Sequence, residues 1–219
     1  MKHMKRLFIL LAIITTVTLA SAQMRLDLSI IKDIVKNEQQ YYKDIVEVFN
    51  SDDPYIRIDD IALVYYGYAF QPEYNPVSDE NEKLMKKYIE EDNYPKLYET
   101  CKKILSYNPA SLEALFYAWI SASTLGKSED EYLSYVNKYQ NIVTMIKEYG
   151  NGKSTESAYH IVHPKDQQHV MLSLGIEDIG SRTLDMETLC NIFDVSPSKD
   201  FQHRHIYFNA GLYLNNVSK

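Results

Sequence analysis

The chain has 219 residues, 45% hydrophobic and 24% charged, with a formal net charge of −7. That is enough for one compact domain with a real core, and it excludes a disordered chain. Seven Gly, seven Pro and two Cys exclude collagen-like, proline-rich and disulfide-dense scaffolds. The anomaly is tyrosine, 19 residues against seven Phe and one Trp.

The first 22 residues read as a secretory signal peptide. Lys2, Lys5 and Arg6 form a basic start, Leu7 to Leu19 is an apolar run broken only by Thr, and Ala20-Ser21-Ala22 supplies a small-x-small cleavage site. The run is shorter than the ~20 residues a membrane-spanning helix needs, and no later stretch is long or apolar enough to cross a bilayer. No Cys follows the cleavage point, so no lipid anchor is expected; the cysteines are Cys101 and Cys190. The expected location is therefore the periplasm or the extracellular space. Removing residues 1–22 takes away three Lys+Arg and no Asp+Glu, which leaves a net charge of −10. Such a protein is repelled by nucleic acid and by anionic lipid. Export permits a disulfide between Cys101 and Cys190, but Cys101 falls on the apolar face of a predicted helix, which favours two buried thiols.

Residues 23–150 read as a helical body. Ile30, Ile31, Ile34, Val35, Tyr42, Ile45, Val46 and Phe49 recur at helical spacing, and Asn50 to Pro54 ends that helix. A second helix spans about 58 to 70, with Ile61, Ala62, Tyr65, Tyr68 and Ala69 inward. Pro72 and Pro76 enclose a loop. Ser78 can cap the next helix, with Asp79, Glu80 and Glu82 in its first turn and Leu84, Met85, Tyr88 and Ile89 on its inner face. Pro95 opens a partner carrying Leu97, Cys101, Ile104 and Leu105, stopped at Asn108-Pro109. Leu115, Ala118, Trp119, Ala122 and Leu125 stripe another helix, ended by Gly126. Ser128 with Glu131 forms a capping box for the last long helix, which Gly150 closes. These hairpins resemble tetratricopeptide repeats, whose period is about 34 residues. Residues 78–111 and 112–145 fit that register in part, with Trp119 where the pattern has Gly. Two partial repeats imply a short hairpin stack with the N-terminal helices as a cap.

Residues 151–219 change period. Pro164 and Asp166 can start a helix through Leu174, residues 184–195 read as one long strand or a hairpin, and Ile206, Phe208 and Ala210 alternate with Tyr207 and Asn209 as a half-buried strand. The expected fold class is α+β, mainly α: helical hairpins followed by a small antiparallel sheet with one helix, packed on the body.

Chemistry-bearing motifs are sparse. Gly152-Lys153-Ser154 lacks the glycine five residues upstream that a phosphate-binding loop needs, since Lys147 stands there, and it reads as a helix-ending turn. His160, His163, His169, His203 and His205 all lie in the last third. His203 and His205 would share a strand face at metal-ligand spacing, but no third ligand can be named, so no metal site is assigned. No Gly-x-Ser-x-Gly or His-Glu-x-x-His motif occurs. Asp52-Asp53 and Asp59-Asp60 read as helix-start acids. No catalytic or cofactor-binding residue is assigned, and no cofactor is expected. Pairs such as Tyr41-Tyr42 and Tyr65-Tyr66 cannot both face a core, so some rings are expected at a recognition surface.

Val64-Tyr65-Tyr66-Gly67-Tyr68-Ala69-Phe70-Gln71-Pro72 with Tyr74 and Pro76, then Gly150 to Ser154 with Glu156-Ser157-Ala158, and Ile206 to Asn209, resemble an uncharacterised family of exported bacterial proteins, a domain of unknown function. The resemblance implies an exported helical protein with a small C-terminal sheet, and brings no activity, ligand or site residue. The functional expectation is a non-enzymatic binding module that engages a peptide or protein partner, a glycan less readily, in a groove between helices. The alternative is a metal-dependent or hydrolytic enzyme using the C-terminal histidines and carboxylates.

Overall fold

The structure, a computed structural model, describes residues 24–75 and 79–217. The expected signal peptide and the Ser78 cap lie outside the described residues. Among those residues no helix is long and apolar enough to cross a membrane.

The N-terminal stripe forms two helices, α1 (Leu28–Asn37) and α2 (Gln39–Asn50), rather than one. The helical path breaks at Glu38, whose backbone leaves the helical region. The break lets both stripes reach the same short helix, α3 (Ile58–Gly67). Ile31 and Val35 of α1 and Tyr42 and Phe49 of α2 are buried against it. α3 is buried from Ile61 through Gly67 on every side, so it is a central helix and not part of a cap. Gly67 makes this packing possible. A Cβ there would lie 2.7 Å from the Tyr42 ring and 3.1 Å from Val35.

A 3₁₀ turn over Tyr68–Phe70 leads to the first hairpin, α4 (Glu80–Glu90) and α5 (Tyr94–Leu105). The second is α6 (Leu112–Thr124) and α7 (Glu129–Tyr149). Asp79 caps α4 by accepting from Glu82 N–H at 2.8 Å, and Ser128 caps α7 by accepting from Glu131 N–H at 3.3 Å. Met85, Leu97, Cys101, Ile104, Ala114 and Ala118 form a separate small core within the hairpins. Met85 is buried in that core, while Trp119, which stands where the repeat pattern has Gly, is half-buried beside Phe116.

The C-terminal part holds β1 (Tyr159–His160), α8 (Asp166–Ser173), β2 (Ile179–Asp185), β3 (Cys190–Val195), β4 (His205–Asn209) and α9 (Gly211–Val217). The strand order is β1-β4-β3-β2. β2–β3 and β3–β4 are antiparallel as expected, with residues 184–195 resolved as a hairpin. The sheet is mixed, however: β1 runs parallel to β4, pairing Tyr159 with Phe208. A parallel neighbour needs a crossover, which α8 and the β2–β3 hairpin supply. The large core runs through both parts, joining Tyr65 and Ile142 to Phe208 and Ile206.

Candidate functional site

The tyrosine-rich run of α3 fastens the helical body to the C-terminal part. The Tyr65 hydroxyl donates to Asp166 Oδ2 at 2.7 Å and accepts from Val162 N–H at 3.2 Å. The same carboxylate oxygen accepts from His163 N–H at 2.8 Å. Tyr74 donates to the Val162 carbonyl at 2.6 Å, and Tyr66 donates to the His160 carbonyl at 3.3 Å. Burial raises the Asp166 pKa, opposed by the His163 ring, the Tyr65 hydroxyl and the His163 amide. Burial raises the Tyr65 hydroxyl well above its ordinary value, and the Asp166 charge adds to it.

His163 sits beside this knot. Its Nδ1 accepts from Lys165 N–H at 3.3 Å, which puts the proton of the neutral ring on Nε2. Nε2 stands 3.7 Å from Glu82 Oε2, beyond hydrogen-bond reach. The enclosed space next to them is ≈ 20 Å³, room for one water and not for an organic substrate. Glu113 of α6, which lines the same space, pairs with Lys165.

Larger spaces lie on the other side of the Tyr68–Tyr74 segment. One hollow of ≈ 750 Å³ opens between α1 and α9, walled by Leu28, Lys32, Phe70, His160, Leu212 and Asn215. A second of ≈ 770 Å³ opens between α2 and the loop from α5 to α6, walled by Tyr42, Lys43, Val46, Glu73, Tyr107 and Pro109. Lys36, Phe70, Gln71 and Pro72 line both, so the two hollows meet over a shared saddle. Each falls in the range of small-ligand sites, roughly 300–1,000 Å³. The Tyr42 hydroxyl at the edge is pushed up to about 12 by burial.

The residues singled out in the sequence go to separate places. His205 Nδ1 pairs with Asp194 Oδ1 at 2.8 Å across β3–β4, whereas His203 precedes β4 and packs on Phe201. The expected shared strand face is thus absent, because the strand starts at His205. His169 is buried in α8 beside Phe116 and Tyr139, and His160 lies in β1 with a buried, unpartnered Nδ1. Among the described residues no group of three His, Cys, Asp or Glu could hold a metal ion. Cys101 and Cys190 are free buried thiols, and burial pushes the Cys101 thiol up to about 12.

Gly152-Lys153-Ser154 is a turn. Gly152 has φ +66°, its N–H donates to Ser157, and its carbonyl accepts from Tyr207 N–H on β4. Asp59 and Asp60 occupy the first turn of α3 as expected. Asp52 does not start a helix: it lies in the turn after α2, where it accepts from Ser134 and pairs with Lys138 of α7 at 2.7 Å. Most tyrosines are buried or half-buried, and only Tyr41 and Tyr55 are exposed, at 45% and 89%. The tyrosine excess therefore serves the interior, where each hydroxyl needs a partner and several find one across the fold. The groove escaped sequence reasoning because its walls come from residues far apart in the chain; the Phe70-Gln71-Pro72 stretch was its nearest signal.

The family model described as a domain of unknown function, DUF4919, matches residues 29–219. The chain belongs to this family. The DUF4919 match takes in the α3 run, the Asp166 knot and nearly all of both groove walls. No curated protein and no solved structure matches the chain.

Proposed function

We propose that this DUF4919 protein is an exported, non-enzymatic binding module that engages a peptide or protein partner in the groove over Phe70-Gln71-Pro72. The observation that carries the reading is the pair of hollows joined at that saddle, whose walls mix apolar side chains with amide and charged groups. Two adjoining hollows suit an extended chain, whose side chains can enter one and then the other. Export rests on the basic, apolar and small-residue pattern of residues 1–22.

Selection of displayed random peptides on the purified mature protein tests this reading, with Pro72→Trp as the blocked variant. Pro72 is exposed and lines both hollows, so an indole there obstructs them with little cost to the core. Enrichment on the wild type that is lost on the variant is expected. Equal enrichment on both proteins, or none, would contradict it. The enzyme alternative calls for convergence of the C-terminal histidines and carboxylates; stoichiometric zinc that disappears in the His203→Ala, His205→Ala double variant would favour it over a passive module.

A further inference from the structure

We propose that the hollow between α1 and α9 takes the free C-terminal carboxylate of a peptide whose last side chain is apolar. The inference rests on the peptide-binding reading above and assigns polarity to it.

Among the described residues, charge separates this hollow from the three other spaces lined by charged side chains. The chain is acidic overall, yet Lys32 and Lys36 line this hollow and no Asp or Glu does. The neighbouring hollow sets Lys36 and Lys43 against Glu47 and Glu73. The surface recess near the N-terminus sets Arg25 against Asp27, Asp59 and Asp60. The small enclosed space holds Glu82, Glu113 and Asp166. Lys32 and Lys36 are four residues apart on one helix, so they share a face, and both are exposed. Neither ammonium forms a salt bridge among the described residues, as is true of most lysines there; what sets these two apart is that they sit together over one hollow. Two adjacent cations over a hollow, with no salt bridge among the described residues of an acidic protein, offer a local well for an anion.

The rest of the lining narrows the anion. Leu28, Phe70, Pro72, Leu189 and Leu212 give apolar wall, and Asn209 and Asn215 give amide groups. A bare inorganic anion would waste the apolar wall, and a neutral apolar ligand would leave the lysines idle. A peptide C-terminus has both features within one residue, a carboxylate beside an apolar side chain. Lysine suits this as a point charge on a flexible stem. The upstream residues of the peptide then run across the saddle into the second hollow.

The test uses the purified mature chain and two pools of short acetylated peptides ending in Leu, Ile or Phe. One pool ends in a free carboxylate and the other in a carboxamide. Retention of each pool is measured at low and high salt. The carboxylate pool should bind about five- to ten-fold more tightly, and less so at high salt, as expected for two solvent-facing charge contacts. The Lys32→Gln, Lys36→Gln double variant should lose that preference, while Lys86→Gln, Lys103→Gln, which removes equal charge from exposed positions outside the groove, should keep it. Equal binding of the two pools would overturn the carboxylate assignment and leave the peptide-binding reading standing. A preference that survives the Lys32, Lys36 double variant would overturn the location. Retention of neither pool would overturn both readings.

Discussion

At the scale of single residues, the tyrosine excess is an account of buried hydroxyls. Tyr65 is the decisive one, because its oxygen satisfies Asp166 and Val162 N–H together. Tyr65→Phe leaves a buried carboxylate short of a donor and a buried amide short of an acceptor. The expected loss is roughly 1–3 kcal/mol, read from urea unfolding. His169 makes stability pH-dependent. Burial, with Lys165 adding to it, lowers its pKa from 6.5 to about 4. Between those values the unfolded chain takes up a proton that the folded chain refuses. Its contribution is therefore complete above about pH 6.5 and is lost as pH falls toward 4. It is at most on the order of 3 kcal/mol. Burial moves His160 and His163 in the same direction, while the raised pKa of Asp166 acts in the opposite sense, favouring the fold at low pH. His169→Phe should flatten the fall in unfolding midpoint between neutral and about pH 5; a variant with the unchanged wild-type slope would contradict the assignment. None of these partnerships was legible in the sequence. Tyr65 and Asp166 are 101 residues apart, and hydroxyl pairing leaves no periodic trace.

At the scale of elements, the apolar period and the caps placed most helices. Ser128 with Glu131 marked the start of α7, and Pro95 falls in the first turn of α5. What the period could not show is how crowded an element is. The inward set for α3 omitted Leu63, Val64 and Tyr66, which are buried because neighbours cover every face. The break at Glu38 was equally hidden, since an apolar stripe passes through a bend unchanged. Helix α9 was missed because Gly211 and two Asn argue against a helix locally, and packing of Leu212, Tyr213 and Leu214 into the core overrides them. β1 has only two residues, and a stretch that short carries no pairing direction, which is why its parallel pairing came as a correction. Two substitutions probe this level. Asp79→Ala removes the α4 cap and the Tyr107 acceptor together, and should cost about 1–2 kcal/mol in a denaturant titration. Gly152→Ala should cost at least ~1 kcal/mol, because φ is +66° and the new Cβ would meet the Tyr159 ring at 2.3 Å.

At the scale of the whole molecule, the two parts share one core, and the hollow between α1 and α9 arises where they meet. α1 and the Tyr68–Tyr74 segment form one side, and β1, β4 and α9 form the other. Fold class and the absence of familiar catalytic motifs could be read from residues in order along the chain. The groove could not, because its walls come from α1, α2, the Tyr68–Tyr74 segment, residues 106–109 and α9, which only the fold brings together. The most direct measurement of the central claim is amide chemical-shift mapping of the mature protein with the peptides that display selection enriches. The account predicts perturbations confined to residues 28–50, 69–74, 106–110, 159–161, 188–190 and 209–216, with those of 28–36 and 209–216 strongest for a free carboxylate. Perturbations centred instead on the outer faces of α4 to α6, with the groove amides unmoved, would contradict it.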